Sequence, residues 1–468
     1  VTVATSVDPI RPELGATQAD FPLTDQGNAE RLVAAHGREL RYAPGVGWLA
    51  WDGRRWRRDE DGEVQRRAKS TVRELYRIAG TLDDDSARQA LAAHARRSES
   101  EPRLRALVTL AQTEAELVVE VSDLDADPDL LNVENGIVNL LTGVLMPHEP
   151  EHLITRLAPA VFDPNASTGF WQVWLEQMTG GDHALQAFIQ RAVGYTITGH
   201  TSEEVLFFLH GPTASGKSTA LEALKAMLGD YARTIDFEAL VAKRDAGMRN
   251  DIARLAGARL VIGSEVDQGK RIAEALLKQI TGGDTVTARF MYRDYFEFTP
   301  AFKLWLAANH RPKLSAQDDA IWRRILQIPF TTTIEASRRD PHIKQSLVRD
   351  QLVRSQILAW ATQGAIAWRE HGLSVPDTVV RYTAAYRAEV DPLTDWLDAC
   401  CHADPDLSSS SSNLRDSYEA FAEANGDRPL TRKAFGIALA SHDFESRRGT
   451  GGVRQWRGIA LRPPGSDT

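Results

Sequence analysis

Residues 205–219 read Val-Leu-Phe-Phe-Leu-His-Gly-Pro-Thr-Ala-Ser-Gly-Lys-Ser-Thr, and this stretch decides the fold. Five consecutive apolar residues fit a strand buried on both faces of a parallel sheet. The segment Gly211-Pro212-Thr213-Ala214-Ser215-Gly216-Lys217-Ser218-Thr219 then fits a phosphate-binding loop that opens a helix. Its glycines let backbone N–H groups approach phosphate oxygens, and the helix start adds its positive dipole end. Lys217 is expected to hold the β- and γ-phosphates of ATP, and Ser218 to offer its hydroxyl to Mg²⁺, an ion that keeps most of its waters. Leu221, Leu224 and Leu228 bury the helix that follows. The competing reading is a chance glycine-rich turn.

Two further apolar runs complete an α/β pattern. Residues 260–262 lead through Gly263 and Ser264 to Glu265, a carboxylate at a strand's C-terminal end, where it can orient water for attack on the γ-phosphate and help hold the metal. An acidic helix cap is the alternative for Glu265, and Asp267 is the second candidate for the role. Residues 303–308 end at Asn309, a side chain able to hydrogen-bond the attacking water or the γ-phosphate. Arg323 and Arg324 follow a short helical stretch from residue 318 and precede a β run, 325–328, so that one of them can reach a neighbouring subunit's γ-phosphate. A surface ion pair with Asp318 or Asp319 is the plainer reading of each.

Residues 286–298 alternate around a polar turn and predict a β-hairpin. Arg289, Tyr292 and Arg293 near its tip combine cations with an aromatic ring, as single-strand DNA contacts do; an ordinary sheet edge is the alternative. From residue 428 to 462 there are eight Lys or Arg against two acids. Helical spacing over 430–439, then alternation around a turn at 449–452, predicts a winged-helix module. Arg432 and Lys433 would lie near a groove, with Arg447, Arg448 and Arg454 against phosphates. A solubilising or protein-docking basic face is the alternative.

The remaining chain sets bounds. Its 468 residues exceed one ordinary core, and 43% hydrophobic with 25% charged residues describe a globular protein. A net charge of −9 excludes a uniformly basic coat, so DNA contact must be local. No apolar run reaches membrane-span length and none resembles a signal peptide, so a cytoplasmic location without membrane attachment is expected. Residues 1–20 read as a disordered tail and 21–150 as a mixed α+β domain with a hairpin at Asp52-Gly53, flanked by Trp48, Trp51 and Trp56. Residues 151–200 read as a helical collar, 201–335 as the ATPase and 336–403 as a helical segment. Asp-Pro-Asp-Leu followed by five serines makes 404–413 a linker by composition, before the module at 414–468. The adjacent Cys400 and Cys401 cannot build a disulfide framework. Asp123, Asp125, Asp127 and Asp129 read as a solvated loop rather than a metal site.

Taken together, Ser264-Glu265, Leu277-Lys278-Gln279, Thr281-Gly282-Gly283-Asp284, Ala308-Asn309-His310 and Asp319-Ala320-Ile321-Trp322-Arg323-Arg324 resemble the helicase part of P4-type phage and plasmid primases, a branch of superfamily 3 helicases. Gly27-Asn28-Ala29-Glu30-Arg31 and Trp51-Asp52-Gly53 resemble the domain that precedes the motor in poxvirus-type primase-helicases. The resemblance implies an AAA+-like motor that assembles as a homo-hexamer around DNA, with ATP at subunit junctions and 3′ to 5′ movement on single strands of a fork. It assigns Lys217 and Ser218 to motif A, Glu265 to motif B, Asn309 to motif C, Arg323-Arg324 to the finger and residues 289–293 to a pore hairpin. Many relatives carry two acids at motif B, whereas Ser264 stands in the first of those places here. A separate primase is an expected partner. An ATP-regulated replication initiator is the alternative, distinguished by sequence-specific binding of residues from about 413 onward. A protein remodeller without a DNA role is the third reading.

Overall fold

A computed structural model describes residues 21–167, 169–241, 250–264, 272–289, 295–312, 314, 318–333, 342–391, 393–425, 429–448 and 454–462. The predicted tail at 1–20 lies outside these residues. Contacts divide the chain into two compact units: the described part of Val1–Asn139 with Val144–Ala158, and Leu140–Gly143 with Pro159–Thr468.

The first unit runs α1 (Asp25–His36), β1 (Leu40–Ala43), β2 (Gly47–Trp51), β3 (Trp56–Arg58), α2 (Glu63–Ala79), α3 (Asp85–Ser98), α4 (Glu101–Ala111), β4 (Leu130–Val133), β5 (Gly136–Asn139) and β6 (Val144–Met146). β1–β2–β3 and β4–β5–β6 are two antiparallel meanders. The β2–β3 turn falls at Asp52-Gly53 as expected; Gly53 has φ +93°, and the Trp51 and Trp56 ring centroids lie 5.7 Å apart. The Gly27–Arg31 motif proves to be a folding device. Arg31 is fully buried and donates to the Pro22 carbonyl at 2.9 Å, while Asn28 joins His94 and Ser98 of α3 at 2.9 Å each. A Cβ on Gly27 would sit 1.9 Å from the Pro22 oxygen. These buried polar groups satisfy one another, as a dry interior requires.

The second unit begins with α5 (Gly169–Met178) and α6 (His183–Ile197), then alternates: β7 (Leu206–His210), α7 (Lys217–Leu228), β8 (Ala232–Asp236), α8 (Asn250–Ala253), β9 (Leu260–Ser264), α9 (Glu274–Thr281), β10 (Val286–Arg289), β11 (Tyr295–Phe298), β12 (Lys303–Ala308), α10 (Asp319–Trp322) and β13 (Ile325–Pro329). Among the described residues these build an all-parallel sheet in the order β13–β7–β12–β9–β8, with β10 and β11 forming a separate antiparallel pair. Every residue of β12 and four of the five in β7 are buried, the pattern of strands covered on both faces. Polar groups at the sheet's N-terminal edge are also matched. Lys303 Nζ donates to the Thr198 carbonyl at 2.6 Å and Arg259 to that of Ile197 at 2.7 Å, satisfying oxygens at the end of α6.

Helices α11 (Ile343–Arg349), α12 (Gln351–His371), α13 (Asp377–Val390) and α14 (Thr394–Cys400) follow the sheet. The chain closes with β14 (Cys401–Ser410), α15 (Ser411–Ala424), α16 (Arg432–Ser441), β15 (Glu445–Arg448) and β16 (Arg454–Leu461). The linker read from composition at 404–413 is corrected here: it is strand β14 and the start of α15. β14 pairs antiparallel with β16, and a register shift between Ala403 and Ser408 accommodates Pro405 and its neighbours. Ser410 caps α15 by accepting from the Asn413 N–H at 3.1 Å. Trp396, Leu414, Tyr418, Phe435, Leu439 and Trp456 form the core of this last module. Cys401 is buried there, and burial pushes its thiol up to about 12.

Candidate active site

Register brings the candidate residues to one edge of the parallel sheet. His210 pairs with Ala308 on one side and Pro329 on the other, and Ser264 pairs with Ala307. The residues that follow β7 and β12, Gly211 and Asn309, therefore leave the sheet side by side. In open α/β sheets this carboxyl edge is where ligands bind.

The loop after β7 is shaped by contacts that leave no room for a side chain. A Cβ on Gly211 would lie 2.0 Å from the Phe330 oxygen, and one on Gly216 would lie 2.5 Å from Met178 Sδ, which α5 packs against the loop. Gly216 also has φ +87° and caps α7 without a side-chain hydrogen bond, so the first N–H groups of the helix stay available to an anion. Lys217, 6% exposed, donates from Nζ to the carbonyls of Gly211 and Pro212 at 2.8 Å each and to Ser215 Oγ at 3.1 Å. Burial lowers its pKa from a lysine's ordinary value. Ser218 is exposed beside it, and among the described residues its hydroxyl has no partner. A free hydroxyl next to a phosphate cradle fits Mg²⁺, which takes few protein oxygens and retains water. Pro212, Thr213 and Ala214 form the exposed crest of the loop. Asn309 Nδ2 donates to Thr213 Oγ1 at 3.3 Å, joining the end of β12 directly to the loop after β7. Glu265 and its second candidate Asp267 lie outside the described residues; β9 ends at Ser264, immediately before them.

The two arginines after α10 differ in their surroundings. Arg324, its side chain 16% exposed, donates to Glu204 at 2.7 Å and to the Ala320 carbonyl at 2.8 Å. Arg323 is exposed and has no side-chain hydrogen bond or ion pair with any described residue. The acids offered as its plain partners are engaged elsewhere. Asp318 caps α10 and pairs with Lys278, and Asp319 pairs with Arg387 at 2.6 Å.

A buried polar cluster beneath the loop escaped the sequence reading. With the Gln327 amide oriented to suit its neighbours, its oxygen accepts from Arg311 and from His210 Nδ1 at 3.1 Å each, and its nitrogen donates to the Tyr382 carbonyl at 3.0 Å. Arg311 also pairs with Glu389 and lies over the Tyr386 ring, 5.4 Å from its centroid. Position was the available signal, since His210 precedes Gly211 and Arg311 follows Asn309 by two residues. Burial first, then the Arg311 charge, lowers the His210 pKa from 6.5 to about 4. Between those values the unfolded chain binds a proton that the folded chain excludes. The stability this histidine contributes is thus complete above pH 6.5 and is lost on acidification toward pH 4. Thermal melts from pH 4.5 to 7 are expected to show a shallower acid limb for His210→Gln than for the wild-type chain; identical limbs would refute this assignment.

Among the predicted DNA contacts, Arg289 ends β10 opposite Tyr295, and Tyr292 and Arg293 lie outside the described residues. Arg432 and Lys433 begin α16 and are exposed. Arg447 pairs with Glu445 at 2.8 Å, and Arg454 donates to Ser446 Oγ at 2.7 Å. Arg448 stands directly across from Arg454 in the β15–β16 register, a like-charge pairing that destabilises a sheet unless an anion relieves it. The predicted turn at 449–452 lies outside the described residues. Asp125 accepts from the Thr155 N–H at 2.8 Å and lies 3.8 Å from Arg156 Nε. Among the described residues no cluster of three or more His, Cys, Asp or Glu could hold a metal ion, and no helix is long and apolar enough to cross a membrane.

Residues 29–180 match the D5 N terminal like family, and residues 209–324 match a family of unknown function, DUF5906. The chain is 29% identical over 297 residues to "Putative helicase L207/L206" of Acanthamoeba polyphaga mimivirus, covering 59% of this chain and 31% of that protein. It is 27% identical over 303 residues to "Putative helicase 022R" of Frog virus 3, covering 60% and 30%. "Primase D5" of Fowlpox virus is 26% identical over 147 residues, covering 30% and 18%. The chain thus spans less than a third of these relatives' lengths. The apo NrS-1 C terminal region superposes with a TM-score of 0.47 at 11% identity, covering 92% of this chain and 99% of that one, a likeness too slight to bear on fold or function. Residues 29–180 are thus similar to the D5 N-terminal region, and the chain is similar to viral proteins named as helicases and as a primase.

Proposed function

We propose that the chain is an ATP-hydrolysing DNA helicase of the P4-type, superfamily 3 branch, acting in replication of a phage, prophage or plasmid. The observation that carries this reading is the sheet edge at which the Gly211–Thr219 loop, the Lys217 ammonium and Asn309 converge, with Asn309 bonded to Thr213. In this reading the loop N–H groups and Lys217 hold the triphosphate, while Ser218, with Glu265 beyond it, holds Mg²⁺. Glu265 orients the attacking water and Asn309 senses the γ-phosphate. The motor is AAA+-like and works as a homo-hexamer, moving 3′ to 5′ on single-stranded DNA held by the hairpin from Arg289 through Tyr292 and Arg293. A separate primase serves as partner.

The C-terminal module is read as a winged helix. Arg432 and Lys433 at the start of α16, together with Arg447 and the facing pair Arg448 and Arg454, supply the phosphate contacts. That facing pair also favours a second reading, an initiator whose ATP state controls DNA recognition through this module. Mixing the chain with forked DNA carrying a 3′ tail, ATP and Mg²⁺ tests the helicase directly. Strand separation that depends on ATP and on the 3′ tail is expected. Binding and hydrolysis without any separation, combined with sequence-specific binding at the C-terminal module, would replace this reading by the initiator.

A further inference from the structure

Helix α13 contacts the loop after β12, helix α10 and strand β13, and it does so through polar contacts as well as packing. On the loop after β12, Arg311 pairs with Glu389 and lies over Tyr386, whose hydroxyl donates to the Pro312 carbonyl. On α10, Asp319 accepts from Arg387, and Trp322 meets Tyr386 edge to face with centroids 5.0 Å apart. On β13, the Gln327 N–H donates to Thr383 Oγ1 at 3.0 Å. At its C-terminal end, Asp391 meets His442 Nε2 of the last module at 2.7 Å and caps the following turn through the Leu393 N–H.

Tyr386 is 1% exposed and Arg311 is held on three sides, so α13 resists any shift of Arg311 and Pro312. Asn309 lies two residues from Arg311 and is bonded to the phosphate loop at Thr213. A displacement at the γ-phosphate therefore enters α13 through Arg311, Glu389 and Tyr386. It leaves at α10, which carries Arg323, and at the Asp391–His442 contact.

We infer that Arg311 and Glu389 are positioning residues that set Asn309 against the γ-phosphate and that α13 couples this site to α10 and to the C-terminal module. The inference rests on the nucleotide reading given above. Glu389 is half exposed, so Glu389→Gln removes the charge with little risk to folding, and Glu389→Asp serves as the conservative rescue.

The test has two arms. In steady-state ATP hydrolysis, Glu389→Gln is expected to lower kcat about 10-fold with KM unchanged, within the ordinary range for coupling between sites, and Glu389→Asp to recover most of the loss. In hydrogen exchange, the wild-type chain is expected to show different protection of amides 319–324 and 432–448 with a nonhydrolysable ATP analogue than with ADP, and Glu389→Gln to lose that difference while still binding both nucleotides. Unchanged kcat and an intact exchange difference in Glu389→Gln, in a wild-type chain that hydrolyses ATP, would overturn the coupling alone. A wild-type chain that neither binds nor hydrolyses ATP would overturn the nucleotide reading and the coupling with it.

Discussion

Lys217→Ala is expected to reduce ATP hydrolysis by about 10³-fold or more and to abolish strand separation, while leaving the fold intact. Removing one preorganised donor aimed at developing charge costs roughly 10² to 10³ in rate, and here the lost group also carries a full positive charge facing a triphosphate. The fold is expected to survive although Gly211 and Ser215 are buried beside the ammonium, because the Pro212 carbonyl lies on the exposed crest of the loop and loss of a desolvated charge offsets loss of its hydrogen bonds. Burial already disfavours this ammonium, so its loss removes a desolvated charge as well as three hydrogen bonds. Steady-state phosphate release, read beside a thermal melt, separates the two effects. Hydrolysis within tenfold of wild type at an unchanged melting temperature would show that the loop is not the engine.

How much of this was readable beforehand follows from where each determinant lies. β7 and β12 announce themselves because a strand covered on both faces needs an unbroken apolar run, and residues 205–209 and 304–308 supply one. The loop was legible for a related reason: Gly211 and Gly216 stand where a Cβ would collide with Phe330 and Met178, and such sites admit few substitutes. β14 was not legible. Only Cys401 in it is buried, so no alternation marks the strand, and its pairing is dictated by β16, some fifty residues away. The contribution of α13 was hidden for the same cause. Tyr386, Arg387 and Glu389 look like an ordinary amphipathic stretch until tertiary contacts set them against Pro312, Asp319 and Arg311. The motif at residues 27–31 was legible as a resemblance, yet only the buried contacts reveal what it does: Asn28 bonds α1 to α3, and Arg31 ties α1 to the Pro22 carbonyl before it.

Arg323 and Arg324 are adjacent, and sequence treats them alike; their environments predict opposite phenotypes. Arg323→Ala is expected to lower kcat by about 10³ to 10⁵, or about 4 to 7 kcal/mol, with ATP affinity and melting temperature unchanged, as for an arginine that reaches a neighbouring subunit's γ-phosphate. Its exposure and lack of a partner among the described residues leave it free to do so. Arg324→Ala is expected to act on stability instead. It strips Glu204 and the Ala320 carbonyl of their donor, and with Glu204 itself half exposed the loss should be about 1–2 kcal/mol. A mixing experiment isolates the direction of reach. Lys217→Ala and Arg323→Ala chains are each expected to be inactive alone, but a ring assembled from both would contain junctions where an intact Lys217 faces an intact Arg323. Recovery of hydrolysis on mixing, rising with the chance of such junctions, is the result a finger acting between subunits requires. No recovery from chains shown by solution mass to co-assemble, or a chain that stays monomeric with DNA and a nonhydrolysable ATP analogue, would assign Arg323 to the surface and remove the subunit junction from the mechanism.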